Sequence, residues 1–157
     1  MKLVVVAVGR LKAEYAKLGC QLFFDRAQRA IPLRLIETRD AHRRRGLSPD
    51  KCKEAEADLL LGAVPDGATI IALDERGREW SSREFAQWMG NRRDDGVSSL
   101  AFLVGGPDGL HPRVRKKAHR VWSLGAMTLP HEMARLVLSE QIYRATTLLA
   151  GAPYHRD

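Results

Sequence analysis

Short apolar runs and longer amphipathic stretches alternate along this chain. The runs are Lys2 to Val8, Leu33 to Glu37, Thr69 to Leu73 and Leu100 to Val104. Most lack a polar alternation, which predicts strands buried on both faces. Between them lie stretches with helical spacing. Leu11 to about Ala30 carries Leu18, Leu22 and Phe23 among charges. Ser48-Pro49 reads as an N-cap with proline at the first helical position, opening a helix that stops at Gly62. Ser81 and Glu84 have capping-box spacing, and Phe85, Trp88 and Met89 share one face of the helix that follows. A short basic helix follows Pro112, and a final one runs from His131 to about Ala150. Strand and helix alternating in this way predict an α/β fold, a parallel sheet with helices on both faces. With no repeat, linker or low-complexity segment, residues 1–157 read as a single domain.

One junction stands out. After Leu-Ala-Phe-Leu-Val comes Gly105-Gly106-Pro107-Asp108-Gly109. Glycines without Cβ atoms let the backbone approach a ligand closely. A buried strand, a glycine turn and a helix form the ligand-binding corner of an open α/β sheet. The plainer reading is a tight turn with no ligand. In such sheets ligands collect at the carboxyl ends of strands, which places Leu73 and Gly105 at two candidate ends.

The balance of 26 Lys and Arg against 19 Asp and Glu gives a formal charge of +7. That excess favours a polyanionic partner such as nucleic acid. The polar segment Arg39 to Arg45 contains His42, Arg43, Arg44 and Arg45 and reads as a phosphate-contacting arm or a solvated loop. Cys20 and Cys52 form no C-x-x-C pair and have no metal-ligand spacing with the histidines. They predict reduced thiols, no metal and a cytoplasmic protein. Neither a secretory leader nor a membrane-spanning run is apparent.

Trp122 to His131 is mostly apolar, although its Ser, Gly and Pro content suits a loop. Exposed loops are normally polar, so this one is expected to tuck inward, against the core or an apolar ligand. In the last helix, Met133, Ala134, Leu136, Val137 and Leu138 spread over more than one face. Two apolar faces call for two partners, the sheet and a second subunit, hence a homodimer. The tail Tyr154-His155-Arg156 offers a ring to stack on a base, an imidazole that titrates near neutrality and a guanidinium for phosphate.

Taken together, Val104 to Leu110, Met127 to His131, Arg135, Glu140 to Ala145 and Tyr154 to Arg156 resemble one family over the whole chain. It is the SPOUT-class ribosomal RNA large subunit methyltransferase H family, which acts on pseudouridine N3 of 23S ribosomal RNA. The opening Lys2 to Gly9 and the Leu73-Asp74 strand end match as well. The resemblance implies a C-terminal trefoil knot between about Gly105 and Leu129, an exception to the usual absence of knots. It implies S-adenosylmethionine as methyl donor, contacted by Leu73, Gly105, Leu124, Gly125, Ala126, Met127, Thr128 and Leu129. An obligate homodimer and ribosomal RNA, on the assembled ribosome, are the implied partners.

Methyl transfer from a sulfonium needs mainly positioning, but pseudouridine N3 must also lose a proton. The expected catalytic residues are His155 as base, Tyr154 to place the target and Arg144 to steady negative charge. Arg135 and Arg156 are expected at the RNA, and His131 in a structural or cofactor-loop role. Two other readings remain at this point: a non-enzymatic RNA-binding or ribosome-assembly module, and a methyltransferase of the same class acting on transfer RNA. A bare RNA-binding module needs neither the glycine turn nor the apolar loop.

Overall fold

The structure, a computed structural model, describes residues 1–41 and 46–156. Residues 42–45, which carry the His42 to Arg45 cluster, and Asp157 lie outside the described residues. Five strands and five helices alternate: β1 (Lys2–Val8), α1 (Glu14–Ala27), β2 (Leu33–Thr38), α2 (Pro49–Gly62), β3 (Thr69–Glu79), α3 (Ser82–Asp94), β4 (Ser99–Val104), α4 (Pro112–Lys117), β5 (Arg120–Ser123) and α5 (His131–Leu149). All pairings are parallel, in the order β2-β1-β4-β3-β5.

The strand faces explain the layers. In β1, Leu3, Val5 and Ala7 join one core with α1, α3 and α5 residues, including Phe24, Phe85, Met89, Leu138 and Ile142. The alternate residues Val4, Val6 and Val8 join a second core with Ala57 and Leu60 of α2 and Val114 of α4. A strand covered on both faces reads as an unbroken apolar run, and all six residues of β4 are buried. The expected parallel sheet with helices on both faces is therefore present. Ser48 caps α2 through the Lys51 amide, and the Ser81–Glu84 capping box forms at α3.

Three expectations need correction. First, α1 is shorter at both ends than Leu11 to Ala30, and Leu18 (65% exposed) and Leu22 do not face the sheet. Ala16, Cys20, Phe24 and Ala27 do. The inward face is built largely of small residues, so the larger apolar side chains point out. Second, β3 does not end at Leu73. Its pairing with β5 slips between Leu73 and Arg78 and resumes to Glu79. At Gly77 a Cβ would lie 2.6 Å from the Val121 carbonyl carbon, so only glycine allows this approach. Third, Arg120–Ser123 is an edge strand, not part of a loop. Four residues carry too little pattern to be recognised without the β3 partner.

Candidate functional site

The carboxyl ends of β3 and β4, the 105–109 turn and the segment after β5 enclose a cavity of about 640 Å³. Leu73, Gly105, Leu124, Gly125, Met127, Thr128 and Leu129 all line it. Of the residues expected at a cofactor, only Ala126 is absent from the lining; it is solvent-exposed. The expected inward tuck holds at both ends of the segment and not in its middle: Trp122 and Ser123 are buried and Leu124 and Leu129 half-buried, while Ala126, Met127 and Thr128 are exposed, Met127 by 81%.

Local chemistry sets this geometry. A Cβ at Gly105 would fall 2.7 Å from the carbonyl carbon of Gly109, so the turn closes only around glycine. The Gly109 amide donates to the Gly106 carbonyl at 3.0 Å. Arg115 ties this turn to β3, donating to Leu110 O at 2.8 Å and to Asp74 Oδ2 at 3.1 Å. Asp74 also accepts from the Arg76 amide through Oδ1, at 3.0 Å. Its side chain is only 5% exposed. On the far wall, Ser123 Oγ donates to Gly125 O and accepts from Gly125 N, turning the chain sharply out of β5. Asp74, Glu75 and Asp108 line the cavity together with Arg76, which pairs with Asp74 at 3.3 Å and with Glu75 at 4.0 Å.

His131 closes the cavity at the start of α5. Burial pushes its pKa down, against the upward pull of Glu132, so the imidazole is neutral at neutral pH. Next to it, Glu132 accepts the amides of Lys12 and Ala13 at 2.7 and 2.9 Å. Burial raises its carboxyl pKa, but those amides outweigh this and the net shift is downward.

Arg135 corrects an expectation. It was expected to meet RNA, but its side chain is 3% exposed. It donates to Gly9 O at 2.9 Å and to Glu37 Oε1 at 2.6 Å, tying α5 to the ends of β1 and β2. Among the residues expected to contact RNA, Arg156 is solvent-exposed.

The expected catalytic residues do meet, around a carboxylate that sequence reading gave no role. Glu140 Oε1 accepts from Arg144 Nε at 3.0 Å, Arg144 Nη2 at 2.5 Å and Tyr154 Oη at 3.1 Å. Arg144 Nη1 lies 3.1 Å from His155 Nδ1, and the guanidinium carbon sits 4.8 Å from the Tyr154 ring centroid. Burial, then the Glu140 hydrogen bond, raises the Tyr154 pKa, so the phenol keeps its proton. An arginine only donates, so this contact is a hydrogen bond in the tautomer whose Nδ1 carries no proton. The Glu140–Arg144 spacing of i, i+4 was the sequence signal that would have exposed the missing carboxylate. Asp74 and Arg115 left no comparable signal, because they are 41 positions apart.

Cavity and cluster occupy opposite ends of α5. Ala134 lines the cavity, and Arg144 lies about 15 Å further along the helix axis at 1.5 Å per residue. None of Arg144, Tyr154, His155 or Arg156 lines the cavity.

A glycine turn and an apolar segment closing one cavity at parallel strand ends invite comparison with known methyltransferases. A family model described as "Predicted SPOUT methyltransferase" matches residues 1–155. The chain belongs to the SPOUT methyltransferase family. Ribosomal RNA large subunit methyltransferase H of Dinoroseobacter shibae is 48% identical over 99% of both chains. The protein of the same name from Allorhizobium ampelinum is 40% identical over the full length of both. Among solved structures, a probable methylase family protein from Haemophilus influenzae superposes with TM-score 0.56 at 13% identity, covering 99% of this chain and 70% of that one. A probable methyltransferase from Bordetella pertussis gives 0.54 at 16%, covering 92% and 96%. At those identities the superpositions speak for the fold alone. Membership makes this SPOUT protein an enzyme of methyl transfer and sets aside the bare RNA-binding module.

Proposed function

We propose that this SPOUT enzyme methylates N3 of a pseudouridine in 23S ribosomal RNA on the assembled ribosome, with S-adenosylmethionine as donor. The observation that carries the reading is the cavity at the ends of β3 and β4, where the expected donor-binding residues converge. Its size falls within the roughly 300–1,000 Å³ of small-molecule sites. Leu73, Leu124 and Leu129 offer apolar walls, and Asp108 puts a carboxylate on the lining that suits a sulfonium or an ammonium. These residues fit the donor, which supplies an electrophilic methyl group. In this reading the chain from Gly105 to Leu129 is tied in a trefoil. Its rigid frame holds the two walls of the cavity in place.

The acceptor's neutral imide is a poor nucleophile, so its proton must leave. His155 is the proposed base, and because its own chain's cavity lies about 15 Å away along α5, it is proposed to serve the donor cavity of the second copy in the homodimer. With Nδ1 unprotonated, its lone pair is engaged by Arg144, so it takes a proton once Arg144 turns toward the target. The same movement brings a cation to the oxygens of the developing imide anion. Tyr154 places the base, and Glu140 orients both Arg144 and Tyr154. Arg156 contacts phosphate.

A homodimer belongs to this reading. Tyr15, Leu18 and Leu22 form an exposed stripe on α1 at helical spacing, and Met133, Leu136 and Val137 are incompletely covered on the neighbouring α5. The cytoplasm, where ribosomes work, is the proposed location. No helix among the described residues is long and apolar enough to cross a membrane.

The test is to incubate whole ribosomes, isolated ribosomal RNA and transfer RNA with labelled donor and map the mark by mass spectrometry. A methyl group on pseudouridine N3 of large-subunit RNA, placed only on intact particles, is expected. A mark confined to transfer RNA defeats the substrate assignment. In parallel, His155→Ala is expected to lower turnover about 10²- to 10⁴-fold, the usual contribution of a general base, with donor affinity intact. Normal turnover in that variant removes His155 from the mechanism.

A further inference from the structure

A chain of alternating cations and rings joins the tail to α1. Arg144 lies 4.8 Å from the Tyr154 ring centroid, and Tyr154 meets Tyr143 edge-on at 4.7 Å and 62°. The Arg26 guanidinium then sits over Tyr143 at 5.7 Å from its centroid. Phe23, on the same helix as Arg26, braces the Tyr143 ring at 6.0 Å. Arg144 and Tyr154 belong to the cluster around Glu140, whereas Arg26 has no part in the reaction described so far.

Arg26 is an exposed residue in the last turn of α1. A cation there complements the helix dipole, which accounts for its charge but not for its place over a ring. The arginines of α5 are neutralised, Arg135 by Glu37 and Arg144 by Glu140. No carboxylate pairs with Arg26 among the described residues; Asp25 beside it accepts from Gln21 Nε2 at 2.7 Å. The Tyr143 ring attracts the charge and limits its motion, yet offers no oxygen to its N–H donors. A guanidinium held in place with its donors unused suits an anion, and its fork matches the oxygens of a phosphate. Leu22, one turn earlier, belongs to the exposed stripe assigned to the second copy. The Arg26 guanidinium is drawn off that stripe toward α5, where Tyr143 lies.

The anion expected at this place is an RNA backbone. Tyr154 places the target base in the function proposed above, and Tyr143 is the ring in contact with it. A strand whose target base rests at Tyr154 and continues past Tyr143 brings its next phosphate to Arg26. Exposed Arg29, three residues on, adds to the positive field. Aromatic rings interleaved with arginines are a common way to hold an unpaired RNA strand.

We propose that Arg26, held over Tyr143, binds the phosphate of a nucleotide flanking the target and so sets the register of the RNA strand on Tyr154. The inference rests on the function proposed above and extends its RNA contact from the tail to α1. Phosphate contacts of this kind fix register without reading sequence.

The experiment compares wild type, Arg26→Gln and Arg26→Lys on intact ribosomes at several salt concentrations. Donor affinity by calorimetry and oligomeric state by sedimentation are read alongside. Arg26→Gln is expected to raise KM about tenfold, the order of one lost charge-assisted contact, with kcat close to wild type. The plot of log kcat/KM against log salt becomes shallower by about one unit of slope. Arg26→Lys keeps the wild-type slope and recovers part of KM. Donor affinity and assembly stay at wild-type levels throughout. A second readout needs no turnover. Cys20 and Cys52 are buried, so an iron–EDTA label attached to Arg26→Cys is confined to that position. It is expected to cleave ribosomal RNA beside the methylated nucleotide. Unchanged KM and slope in Arg26→Gln overturn the proposal. So does a raised KM with an unchanged slope, which makes the role of Arg26 structural, and so does dissociation into single chains, which makes it a contact of the second copy. Cleavage remote from the target, or damage confined to ribosomal protein, overturns it as well. A wild type that labels no ribosomal RNA defeats the underlying function instead, a distinguishable result.

Discussion

The two halves of α5 carry similar residues and put them to opposite uses. In the first half, Arg135 pairs with Glu37 and Glu132 accepts the amides of Lys12 and Ala13; Arg135, Glu132 and Ser139 are buried. In the second half, Arg144 pairs with Glu140 four residues back, and both remain partly exposed beside Tyr154 and His155. Arg135 is locked to chain segments about a hundred residues away. Arg144 is locked only to its own helix and the tail. A guanidinium whose partners belong to other elements is a structural tie. One whose partners move with it keeps the freedom to turn toward a substrate.

Several substitutions test that contrast. The largest effect is expected for Arg135→Met, which leaves the end of β2 without its cation and Gly9 O without its donor. Breaking a buried pair in this way costs about 3–5 kcal/mol, measured by urea unfolding, while the tail cluster stays intact. A loss of activity with undiminished stability reverses the assignment of Arg135. Arg144→Ala is expected to do the opposite. Stability falls by only about 1 kcal/mol, as for partly exposed ion pairs, whereas turnover on ribosomes drops about a hundredfold for one lost stabilising donor.

Glu132 gives a test by pH. Its folded carboxyl pKa is depressed, so its contribution is complete above the ordinary carboxylate range. That contribution disappears as pH falls through the folded value. Glu132→Gln is expected to lose about 2 kcal/mol at neutral pH, the order for hydrogen bonds to a charged group. Its acid unfolding limb should then be shallower than that of the wild type. An unchanged limb moves the acid sensitivity to another carboxylate. The smallest effect belongs to Ser139→Ala, which removes the hydroxyl donating to Arg135 O at 2.7 Å. About 1 kcal/mol is expected, because that carbonyl lies within the helical hydrogen-bond ladder.

Much of this was legible in the residues. The unbroken runs of β1 and β4 reveal a sheet buried on both faces, and the Ser48 and Ser81 caps mark helix starts, because these signals are local. Most of the cavity lining was also legible, through the glycine turn and the segment ending at Leu129. The inward face of α1 was not. Leu18 and Leu22 outweigh Ala16 and Cys20 in hydrophobicity, but close packing against the sheet selected the smaller set. Arg135 and Arg144 look alike in sequence. Only burial and the identity of the carboxylate distinguish them.

The sequence by itself determined the alternation of parallel strands and helices, the glycine turn after Val104 and the set of polar groups in the tail. Backbone propensity and hydrophobic period act over a few residues and are written in order along the chain. Tertiary structure alone decided that Arg115 clamps Asp74, that Arg135 is a buried tie and that Arg26 lies over Tyr143. Each depends on which distant segments meet. Burial and hydrogen-bond satisfaction are properties of that meeting, which no local pattern carries.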